Sequence, residues 1–345
     1  MNGSYIMLEP TDDELLTLVG MHTHHMRDVP YDDVVTSSLQ AHRIKIDVGK
    51  LEQVKKQIES CFEMIGPNVE PVGMYGKVVS AHLRDISLFS LGTSTWTTIK
   101  DAFNSDFDEV YTSYVYARDN IYVFGGAKGT QTKYSRYSLE EKRCYEGEIV
   151  GIVGGSFIST CYDGDKNIYL VGGELNDTIL SRVGCFNIET QQFSKVGDLK
   201  EGLAWPTINI KDNIIYIFGG KKVDKVNRDI ISFNVHTKVN AKVETYVISD
   251  DLYSACFDNI GNLYVMSLKV FKRYSLAAKD SESKLKCHDI VNFIQMRYVT
   301  SFGIISLGGT GNNYFYSLKD DKWSLLKDND PVIGRSSHGS CIISN

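Results

Sequence analysis

The sequence predicts an all-β fold, a six-bladed β-propeller preceded by a short helical segment. An apolar strand that ends in a glycine doublet recurs at a fixed interval, and aromatic residues recur at fixed positions after it. The composition agrees with this prediction, since 20 tyrosines and 29 glycines in 345 residues favour many short strands joined by tight turns.

The glycine repeat has three copies that align without gaps. They read NIYVFGG at 120–126, NIYLVGG at 167–173 and IIYIFGG at 214–220, with successive doublets 47 residues apart. A fourth copy, NLYVMSL at 262–268, has lost both glycines, and a fifth, GIISLGG at 303–309, retains them. Because glycine tolerates sharp turns and close neighbours, we predict that the doublets are architectural. They are Gly125, Gly126, Gly172, Gly173, Gly219, Gly220, Gly308 and Gly309.

Each copy continues into an aromatic residue and a further position seven residues later. Phe89 with Trp96 and Tyr316 with Trp323 are the clearest pairs, and both tryptophans are expected to fill wedges between neighbouring sheets. Another apolar strand precedes each doublet, so one period holds four strands, as a propeller blade does. The seventh positions give six blades. They are Trp96, Cys144, Phe193, Asn240, a weak position within 284–288, and Trp323.

These motifs resemble the kelch repeat family. The apolar strand ending in Gly-Gly, the downstream Tyr or Phe and the tryptophan-type position carry the resemblance. The interval is closer to the kelch period of ~50 residues than to the ~40–45 of WD40 repeats. The resemblance implies a propeller that binds proteins, as in ubiquitin-ligase adaptors and actin-binding proteins, and the sequence favours neither use.

The two ends of the predicted propeller, residues 72–345, complement each other. The first copy, at 74–82, has no inner strand before it, whereas the segment 334–344 reads as the opening strand of another repeat. Its Arg335 and His338 resemble the R-x-x-H start of kelch repeats. We therefore predict that residues 338–343 supply the innermost strand of the first blade and leave no open edge.

Residues 1–70 lack the repeat and are predicted to be helical. A capping-box pattern at 11–14 predicts a short helix, and a longer helix is expected from 38 to 64. Within 44–65 the apolar residues follow a and d spacing. This pattern predicts either a short coiled coil through which the chain self-associates, or an amphipathic helix packed on the propeller or on a partner.

Composition and charge narrow the range of functions. A net charge of −6 argues against nonspecific binding to nucleic acid, and no apolar stretch is long enough to predict a membrane helix. The seven cysteines are scattered and form no C-x-x-C pair, and no signal peptide is visible. We therefore expect a cytoplasmic protein with reduced thiols.

Motifs for chemistry are missing from the sequence. It contains no P-loop, no G-x-S-x-G and no H-E-x-x-H pattern, so we expect no enzyme activity, no cofactor and no metal. His22, His24 and His25 resemble the end of a B-box zinc domain, but the cysteines of such a domain are absent. The alternatives are an enzyme with a site in the propeller channel and a degenerate copy of the family.

The loops after the glycine doublets are predicted to share one face and to form a binding surface. Their cations are Lys128, Lys133, Lys221, Lys222, Lys225 and Arg228. The segment KKVDKVNR, at 221–228, has four cations and one anion in a chain that is acidic overall. By charge complementarity it would bind an acidic peptide or protein surface of an unidentified partner. The alternative is a loop that is merely solvated.

Overall fold

The structure is a computed structural model that describes residues 76–245, 252–258, 260–267, 270–284, 295–300, 302–336 and 338–343. Six four-stranded antiparallel sheets are arranged around a central channel, and the described part of the chain contains no helix. The all-β, six-bladed propeller is thus confirmed. The helices predicted within 1–70, the coiled-coil segment 44–65 and the three clustered histidines lie outside the described residues.

Twenty-six strands are numbered in chain order. They are β1 (Lys77–His82), β2 (Asp85–Ser90), β3 (Thr95–Ile99), β4 (Val115–Ala117), β5 (Asn120–Phe124), β6 (Lys133–Ser138), β7 (Arg143–Glu148), β8 (Ser159–Tyr162), β9 (Asn167–Val171), β10 (Glu174–Leu175), β11 (Thr178–Ile179), β12 (Arg182–Asn187), β13 (Gln192–Asp198), β14 (Thr207–Lys211), β15 (Ile214–Phe218), β16 (Asp229–Asn234), β17 (Asn240–Thr245), β18 (Leu252–Phe257), β19 (Asn262–Ser267), β20 (Phe271–Ser275), β21 (Asp280–Lys284), β22 (Gln295–Val299), β23 (Gly303–Leu307), β24 (Asn313–Ser317), β25 (Lys322–Leu325) and β26 (Gly339–Ile343).

The blades follow one another along the chain, and only the first is built from both ends of the described chain. From the inside outwards, blade one is β26, β1, β2 and β3, blade two is β4 to β7, and blade three is β8, β9, β12 and β13. Blades four, five and six are β14 to β17, β18 to β21 and β22 to β25, while β10 and β11 form a small hairpin. The innermost strands neighbour one another in the order β26, β4, β8, β14, β18, β22 and back to β26, so the ring is closed.

The closing strand lies where the sequence predicts it. Strand β26 pairs with β1 in an antiparallel register that sets Val79 opposite Cys341. Both Cys341 and Ile343 are buried against the first blade. Residues 339–343 thus give blade one its inner strand and cover the edge that β1 would otherwise expose.

A buried ion pair fastens the segment that leads into β26. Arg335 binds Asp330 through two hydrogen bonds, Nε to Oδ2 at 2.8 Å and Nη2 to Oδ1 at 2.6 Å, and both side chains are fully buried. Its Nη1 donates to Ser80 Oγ at 2.9 Å, and its Cζ lies 3.8 Å from the ring centre of Trp96. The Trp96 indole N–H in turn donates to Asp328. We call Arg335, Asp330, Ser80 and Trp96 the closure cluster, since they join the chain before β26 to blade one.

His338, next to the closure cluster, should make the stability of the ring depend on pH. Burial, Arg335 and His82, whose ring centre lies 4.8 Å away, lower the pKa of His338 to about 4. The unfolded chain takes up this proton near pH 6.5, whereas the folded chain resists it. The free energy of unfolding should therefore fall as the pH drops from about 6.5 towards 4. We expect a loss of about 1–2 kcal/mol, less than the full pKa shift implies, because solvent reaches part of the imidazole ring. Urea unfolding between pH 7 and 4.5 measures this slope.

The variant His338→Gln should have a shallower slope over the same pH range. His236→Gln is the matched control, because His236 is exposed in a turn between β16 and β17. An unchanged slope in His338→Gln would contradict this origin of the pH dependence.

The antiparallel topology gives the propeller two unlike faces. One face, which we call the short-turn face, carries the turns between first and second strands and those between third and fourth strands. Connections between second and third strands and between blades lie on the other, the long-loop face. Each turn between the third and fourth strands contains one residue with a positive φ, two positions before the tryptophan-type position. These residues are Ser94, Lys142, Gln191, Lys238, Lys279 and Asp321. Because this turn has the same length in every blade, the aromatic residue of the third strand is always seven positions before the tryptophan-type position.

Aromatic side chains fill the wedges between blades. Between blades two and three, the ring centres of Phe124 and Phe186 are 5.5 Å apart, and Phe186 lies 4.7 Å from Phe193. Between blades five and six, Phe271 lies 5.1 Å from Trp323. These contacts bury large apolar areas where twisted sheets diverge.

The first glycines of two doublets lie against the connection that leads into the next blade. Gly172 has a φ of 64°, and a Cβ there would overlap the carbonyl oxygen of Leu203. At Gly125, with a φ of 70°, a Cβ would overlap the carbonyl oxygen of Gly155. A side chain at either position would therefore clash with the backbone of that connection.

The tryptophan-type position of blade five was predicted within 284–288, and this prediction is wrong. Strand register sets Tyr274 opposite Ser281, as it sets Tyr316 opposite Trp323. Only three residues separate β19 from β20, whereas eight separate β5 from β6. Counting from the fixed 47-residue period therefore overshoots in this blade.

Candidate functional site

The basic loop of blade four is an ordered hairpin on the long-loop face. The backbone N–H of Lys222 donates to the carbonyl of Lys225 at 2.8 Å. The buried Asn227 side chain donates to the carbonyls of Gly219 at 3.0 Å and Asp229 at 2.9 Å. These bonds fix the backbone, so the cations of the loop project from a defined position.

Two of the six predicted binding cations have their charge compensated within the chain. Lys222 forms an ion pair with Glu201, lies 4.0 Å from Asp229, and keeps only 12% of its side chain exposed. This lysine, through its hydrogen bond and its charge, lowers the pKa of Glu201. Lys133 is the first residue of β6, and its Nζ lies 3.4 Å from Glu146. Both lysines are therefore less suited to meet a partner than the sequence predicts.

Four predicted cations remain available on the surface. Lys128, Lys221, Lys225 and Arg228 are exposed, and none of them forms an ion pair within the described part of the chain. Three of the four belong to the blade-four hairpin, which also exposes the apolar side chains of Val223 and Val226. The hairpin thus offers positive charge and apolar surface together.

An aromatic row lies beside this hairpin, on the connections between blades. The ring centres of Tyr111 and Phe157 are 5.8 Å apart, and those of Phe157 and Trp205 are 4.7 Å apart. The ammonium of Lys221 lies 5.8 Å from the Trp205 ring centre, within reach of a cation–π contact. We call Tyr111, Phe157 and Trp205 the aromatic ledge.

The backbone under the ledge repeats from blade to blade. The N–H of Phe157 donates to the carbonyl of Glu109 at 2.8 Å, and the N–H of Trp205 donates to that of Phe157 at 2.9 Å. Glu109, Phe157 and Trp205 have φ values of 56°, 55° and 43°, a conformation that is costly for bulky residues. Such strain persists where the surroundings enforce it, and here it holds two aromatic rings at the surface.

Sequence reasoning did not identify the ledge. Its signal is the 48-residue spacing of Glu109, Phe157 and Trp205, close to the period of the doublets. The three residue types differ, however, so a comparison of letters does not reveal that they share one backbone position.

The described residues also bear on metal binding, membrane crossing and thiol chemistry. No group of three His, Cys, Asp or Glu residues there is arranged to hold a metal ion. Across the same residues, no helix is both long and apolar enough to cross a lipid bilayer. The described cysteines are unpaired, and burial raises the pKa of the Cys256 and Cys341 thiols to about 12.

No protein-family model matches the chain, and no curated protein matches it significantly.

Proposed function

We propose that this chain is a kelch-type interaction module that binds an acidic segment of a partner protein on its long-loop face. The observation that supports this proposal is the position of the aromatic ledge directly beside Lys221, on the hairpin that also carries Lys225 and Arg228. Aromatic and arginine side chains provide much of the binding energy in protein interfaces. A surface that combines them with uncompensated lysines suits a ligand with carboxylates around an apolar residue.

Each part of this surface has its own task in the proposal. Lys225 and Arg228 attract the carboxylates and raise the association rate. Trp205, with 36% of its surface exposed, takes an apolar side chain of the ligand. The ordered hairpin lowers the entropy cost of binding, because its backbone is already held by Asn227.

The repeat period and the closed ring favour a kelch-type adaptor or scaffold, in a ubiquitin ligase or on the cytoskeleton. In this proposal the segment 44–65 joins two copies of the chain or docks on a further protein. The scattered cysteines favour the cytoplasm as the place of action.

Charge reversal of the hairpin tests the proposal directly. The full chain is first used to select binders from a random peptide library displayed on phage, which should enrich peptides with several carboxylates. The double variant Lys225→Glu with Arg228→Glu should then bind a selected peptide at least tenfold more weakly, which corresponds to about 1.4 kcal/mol. Fluorescence anisotropy with labelled peptide measures the dissociation constant, and the difference should shrink at high salt.

A matched control has the same change of charge on the opposite face. Lys166→Glu with Lys319→Glu alters two exposed lysines in turns of the short-turn face and should leave the affinity unchanged. Trp205→Ala should weaken binding in a way that does not depend on salt. Equal affinity of the hairpin and control variants, or selection of basic peptides, would refute the proposed site.

A further inference from the structure

The central channel contains a cavity of about 230 Å³ with one charged residue in its lining. The innermost strands of all six blades contribute to this lining. Arg297, on β22, supplies the positive charge, and the other lining residues are uncharged polar or apolar. Arg297 is thus the one charged side chain among the described residues that line this cavity.

Strand register shows that Arg297 occupies one position of a six-membered ring. In every blade, one residue of the innermost strand pairs with the third residue of the second strand. Cys161 pairs with Tyr169 in this way, and Arg297 pairs with Ile305. All six equivalent residues line the cavity. They are Cys341, Val115, Cys161, Asn209, Cys256 and Arg297. A guanidinium therefore stands where the other five blades place a neutral side chain.

Arg297 has only neutral hydrogen-bond partners among the described residues. Its Nε and Nη2 donate to the carbonyl of Ser340 at 3.0 and 2.9 Å, and Nη1 donates to that of Met296 at 3.0 Å. Nη2 also lies 3.3 Å from Gln295 Oε1. No described carboxylate forms an ion pair with this guanidinium. Burial lowers the pKa of Arg297, which reflects the cost of keeping its charge away from water.

We infer that the channel binds one small oxyanion of the phosphate or sulfate class at Arg297. A partly buried cation with no described counter-charge is costly to keep from water, and a bound anion lowers that cost. Four of the five guanidinium N–H groups donate to neutral acceptors, so one N–H of Nη1 remains for an oxyanion, which the positive charge attracts. The amide of Asn209 lies in the same ring and supplies a further polar group. No other charged side chain lines the cavity, so Arg297 supplies the electrostatic attraction.

Titration calorimetry of the full chain with inorganic phosphate tests this inference. Chloride is adjusted to keep the ionic strength constant. The wild-type chain should bind one phosphate with a saturable heat. The variant Arg297→Gln should bind at least tenfold more weakly, whereas Arg297→Lys, which keeps the charge, should fall between the two.

The control is Arg143→Gln, which removes an exposed cation of the outermost strand β7 and should leave phosphate affinity unchanged. Arg297 also bridges blades six and one, so its loss could prevent folding. Asn209→Asp therefore provides a second route, because it places a carboxylate in the same ring without touching Arg297, and it should weaken phosphate binding at least tenfold. No saturable heat in the wild-type chain, or equal affinity in Arg297→Gln or Asn209→Asp, would overturn the inference.

Discussion

Removal of residues 336–345 should abolish the cooperative unfolding transition of the propeller. The deletion takes away β26, its backbone bonds to β1 and the carbonyl of Ser340 that receives Arg297. It also uncovers the core that Cys341 and Ile343 complete. Every blade packs against two neighbouring blades, so an opened ring loses packing on both sides of the gap. The destabilisation should therefore extend to several blades and not only to the C-terminal segment. Urea unfolding followed by tryptophan fluorescence and circular dichroism measures the effect.

A synthetic peptide of residues 334–345, added to the truncated chain, should restore the transition in a concentration-dependent way. A scrambled peptide of the same composition serves as the control. A truncated chain that unfolds at the wild-type urea midpoint, without any peptide, would show that β26 does not hold the ring.

Replacement of Arg335 by Ala should reduce the free energy of unfolding by about 3–5 kcal/mol, because it leaves the Asp330 carboxylate buried without its partner. In the intact protein burial tends to raise the pKa of Asp330, but hydrogen bonds from Arg335 and Asn313 outweigh it and lower the pKa below its ordinary value. The change also removes the bond to Ser80 and the stacking on Trp96. Urea unfolding at pH 7 measures the loss.

The double variant Arg335→Met with Asp330→Asn is the matched control, since it removes both charges and keeps most of the volume. It should cost less than Arg335→Ala, because no uncompensated charge remains buried. A cost below about 1 kcal/mol for Arg335→Ala would show that the closure cluster is not a major source of stability.

Repetition made the fold predictable from the sequence. Gly125 and Gly172 lie against the connection to the next blade, where a side chain would clash, and a glycine doublet recurs in four of the six blades. The turn before the tryptophan-type position also has the same length and backbone conformation in every blade. The seven-residue spacing is therefore kept even where another residue replaces Trp. The tryptophan-type position of blade five was predicted too late in the sequence because Ser281 has no aromatic signal and the loop before β20 is short.

The candidate site was only partly predictable. Lys221, Lys225 and Arg228 were identified because a cluster of charge is visible in one stretch of sequence. The compensation of Lys222 by Glu201 comes from a connection between blades. The aromatic ledge depends on backbone conformation and on contacts between residues almost one period apart. Contacts of this kind depend on the assembled ring, and residue letters alone do not reveal them.

The position of β26 also affects how the protein is made. During synthesis, β1, β2 and β3 leave the ribosome first, but their innermost neighbour follows only after all the other described strands. Until then the inner edge of β1 has unpaired backbone groups, which can join a strand from another nascent chain. Arg335 and Ser80, which meet in the closed ring, are 255 residues apart, so the last step of folding is a long-range encounter and is expected to be slow. Cells that produce this protein in quantity should therefore depend on chaperones that cover this edge until β26 has been synthesised.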